Sequence, residues 1–134
     1  MDLKARCNAI EECYEFMLAY AAQGIVDEAG SKSANELRTF LGKAESALAN
    51  LADTCRAEVT SGGLSPVDKY LAFIDVLDRD ARSSLAAVQL VIAQPSISSQ
   101  LIDNLNASIH VRALLTDLFL IDEILKGNAR TRGA

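Results

Sequence analysis

Hydrophobic and polar residues follow one another along this chain with the three- and four-residue spacing of amphipathic α-helices. The pattern divides into four segments, which cover about 2–23, 33–59, 66–94 and 101–125. Only 88–93 also fits a short strand, and the helical spacing on both sides of it favours a helix. The pattern therefore predicts an all-α protein.

Capping and turn residues mark where these segments begin. Ser31, Lys32 and Ser33 open the second segment, and the sequence from Ser33 to Glu36 fits a capping box. Ser65 and Pro66 are the residues preferred at the N-cap and at the first helical position, so the third helix is expected to start there. Long helices joined by short connections pack as antiparallel neighbours. We predict an antiparallel up-down-up-down four-helix bundle over 1–127, followed by a flexible basic tail at 128–134.

The fourth segment differs from the others because apolar residues lie on two opposite sides of the predicted helix. A helix with one side exposed to solvent needs only one apolar stripe. The segment is therefore either the central element of the fold or the place where a second chain docks. One side carries Leu105, Ile109, Ala113, Leu120 and Ile124, and the other, which we predict to be a homodimer interface, carries Val111, Leu114, Leu118, Ile121 and Leu125.

The overall charge of the chain narrows the range of partners. Its formal net charge is −5 and its acidic residues are spread along the sequence, which argues against a nucleic-acid-binding surface. The sole basic cluster in the sequence is Arg130 with Arg132. No apolar run approaches the roughly 18 residues of a membrane span. We expect neither a nucleic acid nor a membrane as partner.

Cysteine usage bears on the cellular compartment. Cys7, Cys13 and Cys55 make an odd number of cysteines without a C-x-x-C pair. Residues 1–6 lack the apolar stretch of a secretory signal peptide. Reduced, buried thiols in a cytoplasmic protein are therefore the expected state.

His110 is the single histidine and the first candidate for chemistry. Asp103, His110 and Asp117 are spaced by seven residues and so share one side of the predicted helix. A carboxylate that orients an imidazole is typical of general bases and of metal ligands. Residues seven apart are about 10.5 Å apart along a helix axis, too far for a direct hydrogen bond. We predict a structural, half-buried His110 that bonds a carboxylate across a helix–helix contact.

Arg6 lies at the edge of the apolar stripe of the first segment. If the first and fourth helices are antiparallel neighbours, Arg6 is level with Asp122 and Glu123. We predict an ion pair there that fixes the register of the two helices.

No motif in the sequence identifies a reaction. The chain lacks the serine-hydrolase elbow, the phosphate-binding loop and the dinucleotide fingerprint. The leading hypothesis is a non-enzymatic adaptor, chaperone or regulator that binds another protein and forms a homodimer through the fourth helix. This hypothesis requires no cofactor, no metal and no catalytic residue.

Two other hypotheses remain open at this point. The first is a ligand- or metal-sensing bundle whose pocket between helices is lined by Tyr14, Tyr20, His110 and Asp117. The second is a small enzyme of unknown reaction. The enzyme ranks last because no combination of nucleophile, base and orienting group can be named.

Overall fold

The polypeptide folds into six α-helices, two more than the sequence pattern predicts. The computed structural model describes residues 1–29 and 31–133, apart from the side chains of 130–133. Within those residues helices are the only regular secondary structure, so the all-α prediction is confirmed. The helices are α1 (Leu3–Ala21), α2 (Lys32–Leu48), α3 (Leu51–Ser61), α4 (Val67–Ile92), α5 (Ser99–Ala107) and α6 (Ile109–Gly133).

Side-chain caps define the starts of α1, α2 and α5. Asp2, Ser31 and Ser98 begin α1, α2 and α5, and each accepts a hydrogen bond from the main-chain N–H three residues later, at 2.8, 3.2 and 3.0 Å. Such caps satisfy N–H groups that have no partner within the helix. The capping box predicted at Ser33 is therefore two residues too late.

The start of α4 differs by one residue from the sequence prediction. Its first helical residue is Val67, and Pro66 occupies the cap position without a side-chain hydrogen bond. The carbonyl of Pro66 accepts from the N–H groups of Lys69 and Tyr70. Ser65, the predicted N-cap, precedes Pro66 through a cis peptide bond. The prediction of a Ser65 cap is wrong.

Asn50 breaks the second predicted segment into two helices. The helix α2 ends at Leu48, and Asn50 adopts the left-handed conformation with φ 61° before α3 begins. Asparagine tolerates this conformation better than most other residues because its short polar side chain bonds locally. The continuous helix predicted for 33–59 is therefore wrong.

The guanidinium group of Arg6 stabilises the end of α2 that this break exposes. Its Nη1 donates to the main-chain carbonyls of Ser46, Ala47 and Ala49 at 3.3, 3.1 and 2.5 Å. Carbonyl groups in the last turn of a helix have no partner within it and carry partial negative charge, so a cation fits there. The predicted ion pair is not the role of Arg6, and Asp122 accepts from Lys126 on its own helix at 2.8 Å.

Ser108 breaks the fourth predicted segment between α5 and α6. Its ψ of 141° is extended, and its N–H donates to the carbonyl of Leu105 at 3.1 Å. Its Oγ then accepts from the N–H of Val111 at 3.3 Å, as an N-cap does. With six helices present, the four-helix up-down topology is not confirmed.

The last helix is longer than expected. It continues past Gly127 to Gly133, so 128–133 is helical where a flexible tail was predicted. The side chains of Arg130 and Arg132 lie outside the described part of the chain, as does residue 134.

One hydrophobic cluster draws side chains from all six helices. The helix α1 packs on α2 and α5, while α4 packs on α2, α3 and α6. None of the helices in the described ranges is both long enough and apolar enough to cross a membrane. The largest fully buried side chains include Tyr20, Leu37, Leu41, Leu51, Ile74, Leu77, Ile97, Ile102, Leu114 and Leu118.

Replacing Arg6 tests how much its hydrogen bonds to the C-terminal end of α2 stabilise the protein. We expect Arg6→Ala to lower the free energy of unfolding by about 1–3 kcal/mol, because three main-chain carbonyls lose a charged donor. Urea denaturation followed by circular dichroism measures the change. Lys4→Ala, at an exposed cation two residues earlier on α1, is the control and should stay within about 0.5 kcal/mol of the parent. Equal effects of the two substitutions would contradict the capping role.

Candidate functional site

The side of α6 predicted to bind a second copy lies inside the core of the chain. Val111, Leu114, Leu118 and Ile121 are 7, 2, 1 and 3% exposed, and Leu125 is half-buried. Side chains at these positions pack within their own subunit and offer little surface to a partner. The interface predicted from the sequence therefore has to be corrected.

The break at Ser108 explains why the sequence pattern assigns the buried and the exposed sides of α6 the wrong way round. In one continuous helix, Leu105 and Ile109 would lie on the same side. In the structure Leu105 is 5% exposed and Ile109 is 75% exposed. The helical phase changes at Ser108, so a pattern traced through that residue joins the inner side of α5 to the outer side of α6.

The outer side of α6 carries large apolar side chains in contact with solvent. Phe119, Leu120 and Ile124 are 56, 50 and 40% exposed. Single exposed leucines are common on protein surfaces, whereas neighbouring ones indicate an interaction surface.

The exposed leucine and isoleucine lie beside α4. The amide of Asn128 donates to Tyr70 Oη at 2.8 Å, and Ser84 Oγ donates to the carbonyl of His110 at 2.9 Å. These two contacts show that α4 and α6 run antiparallel. An open apolar groove of about 180 Å³ lies between the helices. It is lined by Lys69, Tyr70, Phe73, Ile121 and Ile124.

Val76 extends this groove along α4. It is 37% exposed and lies on the same side of the helix as Phe73, three residues earlier. The antiparallel register places it level with Leu120. We call Phe73, Val76, Leu120 and Ile124 the seam patch, because it covers the outer edge of the α4–α6 contact.

Two carboxyl groups meet in the same α4–α6 contact. Asp117 of α6 is 8% exposed, and its Oδ2 is buried without a hydrogen-bond partner. Asp80 of α4 is level with Asp117 in the antiparallel register and is the neighbouring acid whose charge acts on it. Burial, followed by the hydrogen bond and the charge of Asp80, raises the pKa of Asp117 to about 7. Asp117 therefore binds or releases a proton near neutral pH.

His110 does not take part in this contact through its ring. The residue is exposed, and its main-chain carbonyl is the group that bonds Ser84. Asp103, its predicted partner, is exposed on α5. The prediction of a half-buried imidazole between helices is wrong, because His110 is exposed at the start of α6.

The two tyrosines of the predicted ligand pocket lie in separate places. Tyr14 is half-buried beside an internal cavity of about 20 Å³. Tyr20 is fully buried and donates its hydroxyl hydrogen to the carbonyl of Ile97 at 2.5 Å. Asp117 faces Asp80 instead. The structure does not gather the predicted pocket residues into one site.

An ion pair that the sequence did not reveal closes the C-terminal end of α4. Arg38 donates to both carboxylate oxygens of Glu28 at 2.9 and 2.7 Å, and to the carbonyls of Ile92 and Gln94 at 3.0 and 2.8 Å. Glu28 also accepts from the N–H of Ile97, and the Arg38 hydrogen bond lowers the pKa of Glu28. These groups join two loops and have a structural role.

A second groove, of about 490 Å³, separates the start of α1 from the end of α6. Its lining is mixed. Apolar side chains alternate with both acids and lysines, so no single charge dominates. The lining residues include Leu3, Cys7, Ile121 and Leu125 on the apolar side, and Lys4, Glu11, Glu58, Asp122 and Lys126 on the charged side.

The thiol groups are poorly suited to nucleophilic chemistry. Burial raises the pKa of Cys13 and of Cys55 to about 12, and burial together with nearby Asp122 and Glu11 raises that of Cys7 to about 11. A thiol reacts as its thiolate, which is scarce at neutral pH when the pKa is so high. In the described residues, no cluster of three or more histidine, cysteine or acidic side chains is arranged to hold a metal ion.

Comparison with family models, with curated proteins and with solved structures found no match to this chain. Function is therefore inferred from the geometry of the chain itself. Among the described residues, the seam patch and the acid pair beside it are two features that core packing alone does not explain.

The acid pair predicts a pH-dependent stability. Because the pKa of Asp117 is raised in the folded state, the folded protein binds a proton more tightly than the unfolded chain does. The corresponding stability is fully present below about pH 4 and is lost as the pH rises through about 7. The free energy of unfolding should fall by up to about 1.4 kcal/mol per pH unit in that range.

Asp117→Asn removes the titrating group and should flatten this dependence, so the variant becomes more stable than the parent at about pH 8. Urea denaturation of both proteins at several pH values measures their free energies of unfolding. Asp103→Asn, at an exposed aspartate, is the control and should keep the parent's slope. An unchanged slope in Asp117→Asn would show that the pair does not control stability.

Proposed function

We propose that this protein is a non-enzymatic helical module that binds other proteins as an adaptor, chaperone or regulator, and that it forms a homodimer through the seam patch. The observation that carries the proposal is the exposure of large apolar side chains on two helices packed against one another, Leu120 and Ile124 on α6 and Val76 on α4. Contiguous apolar surface rimmed by polar residues is typical of protein–protein interfaces.

We also infer that the six helices are a four-segment antiparallel bundle in which two segments are broken. The packing of α1 on α2, of α2 on α4, of α4 on α6 and of α5 on α1 closes a ring around one core. In such a ring the outer side of each segment has no partner within the chain. The outer side of α6 is the one that combines this position with several large apolar residues.

The charges on the outer side of α6, next to the seam patch, are compatible with a second copy as the occupant that we propose for this surface. Arg112 and Glu123 are eleven residues apart on α6, so they lie within about 20° of one another around the helix. In an antiparallel pair of α6 helices, Arg112 of each copy is opposite Glu123 of the other. A two-fold symmetric interface uses the same surface on both subunits, as this arrangement does.

The size of the patch bears on the strength of the association. A standard stable interface buries about 800 Å² on each partner. The four partly exposed side chains of the seam patch supply only a part of that area. We therefore expect a weak dimer, with a dissociation constant on the order of micromolar.

The setting of the reactive side chains supports a role without catalysis. Cys13 and Cys55 are buried with raised pKa values, and His110 is exposed with no carboxylate from its own helix in reach. Buried thiols and an odd number of cysteines suit a reducing compartment, so we propose a cytoplasmic location. Ligand or metal sensing is the weaker alternative because its predicted pocket residues are dispersed.

A charge in the seam patch should separate the copies. We expect the parent protein to form dimers at high micromolar concentration, and Leu120→Glu to remain a folded monomer, because burying an unpaired carboxylate in an apolar contact is costly. Sedimentation equilibrium gives the mass, and circular dichroism confirms the fold.

Leu18→Glu is a matched control, since Leu18 of α1 is 49% exposed and Leu120 is 50% exposed. The control should dimerise like the parent. A parent protein that stays monomeric at high micromolar concentration would refute the proposed dimer, and equal dimerisation of Leu120→Glu would refute the proposed surface.

A further inference from the structure

We propose that Asp80 and Asp117 form a proton-operated latch, which closes the α4–α6 contact and thereby controls self-association through the seam patch. This inference rests on the proposed dimer. It adds a chemical signal, the proton, that regulates the same surface.

The geometry of the two carboxyl groups makes the contact sensitive to a proton. Asp117 is more than nine-tenths buried, and one of its oxygens lacks any hydrogen-bond partner. When the pair holds one proton, one carboxyl group donates a hydrogen bond to the other. When the proton leaves, two negative charges face one another in a poorly solvated contact and repel.

No cation from the helices packed against α6 offsets this repulsion. On α4, Arg82 donates to Asp78 at 3.0 and 3.1 Å, and Arg79 is exposed. On α5 the charged side chain is Asp103, which is exposed. Among the described residues, Asp80 is the charged group that acts on Asp117.

The charged and titratable groups of α6 itself lie away from the pair. His110 and Arg112 are exposed near the start of the helix. Asp122, further along, is paired with Lys126. The acid pair is thus left to balance its own charge, and the proton is the simplest way to do so.

The latch and the seam patch share the same two helices at adjacent turns. Asp117 precedes Leu120 by three residues, and Asp80 follows Val76 by four, so each acid lies next to a patch residue on its own helix. The patch is formed by both helices together. Separation of α4 from α6 at the acid pair therefore moves Val76 away from Leu120 and divides the surface.

The raised pKa of Asp117, about 7, means that the latch changes state around neutral pH. Below that value we expect the contact closed and the patch continuous. Above it we expect the contact loosened and the dimer weaker. The seam patch can therefore bind a second copy when the acid pair holds its proton.

Sedimentation equilibrium at about pH 6 and about pH 8.5 tests the latch. The dimer dissociation constant of the parent should rise about tenfold or more between the two, which corresponds to about half a unit of pKa difference between monomer and dimer in each of the two subunits. Asp117→Asn should change by less than about twofold and should dimerise at the higher pH, because a neutral amide keeps a hydrogen bond to Asp80.

Two variants exclude other sources of pH dependence. His110→Gln removes the single histidine, the other side chain that ordinarily titrates in this range, and should keep the full pH effect. Asp103→Asn makes the same change of net charge as Asp117→Asn at an exposed position and should also keep it.

The outcomes separate the latch from the dimer itself. A parent that dimerises equally at both pH values overturns the latch and leaves the proposed dimer standing. Loss of the pH effect in His110→Gln also overturns the latch. A parent that is monomeric at both pH values, with Asp117→Asn monomeric too, overturns the proposed dimer and the latch together.

Discussion

The change of helical phase at Ser108 determines which side chains of α6 are buried and which are exposed. The rest of the structure depends on this constraint. The Oγ of Ser108 caps α6, and its extended backbone ends α5. Without that break, a helix with Leu105 in the core would also bury Ile109. With it, Leu114 and Leu118 enter the core, and Leu120 and Ile124 remain outside. The same phase sets Asp117 against α4. The inner packing, the seam patch and the acid pair all follow from one main-chain interruption.

Breaking long helices creates carbonyl ends that need donors, and two arginines supply them. Arg6 reaches from α1 to the last turn of α2, and Arg38 reaches from α2 to the last turn of α4. Each arginine therefore joins two helices through main-chain carbonyls, whose positions depend little on the side chains of α2 or α4. Arg38 also pairs with Glu28, which fixes the loop after α1. Interrupted helices thus become points of attachment between segments.

Long-range apolar spacing was sufficient to predict an all-α chain and the approximate extent of its segments, because core burial imposes that spacing over many turns. It could not predict the breaks, because Asn50 and Ser108 act through local main-chain conformations that a periodic pattern passes over. The polar residue Ser108 within an apolar run was the available signal, since serine favours caps. For this reason the sequence pattern assigns the inner and outer sides of α6 the wrong way round. The Arg6 contacts were unpredictable from spacing, since their acceptors are main-chain atoms.

An acid pair with one buried member, Asp117, and no cation beside it is costly to the fold, and its position gives that cost a use. Placed in the interior, Asp80 and Asp117 would only destabilise the protein at neutral pH. At the α4–α6 contact they lie one turn from Val76 and Leu120, at the edge of the apolar surface that we propose for association. The repulsion between the two acids, which a proton removes, then acts on the α4–α6 contact. The closure of that contact shapes the apolar surface. Replacing the pair by apolar residues would strengthen the contact and remove its response to pH.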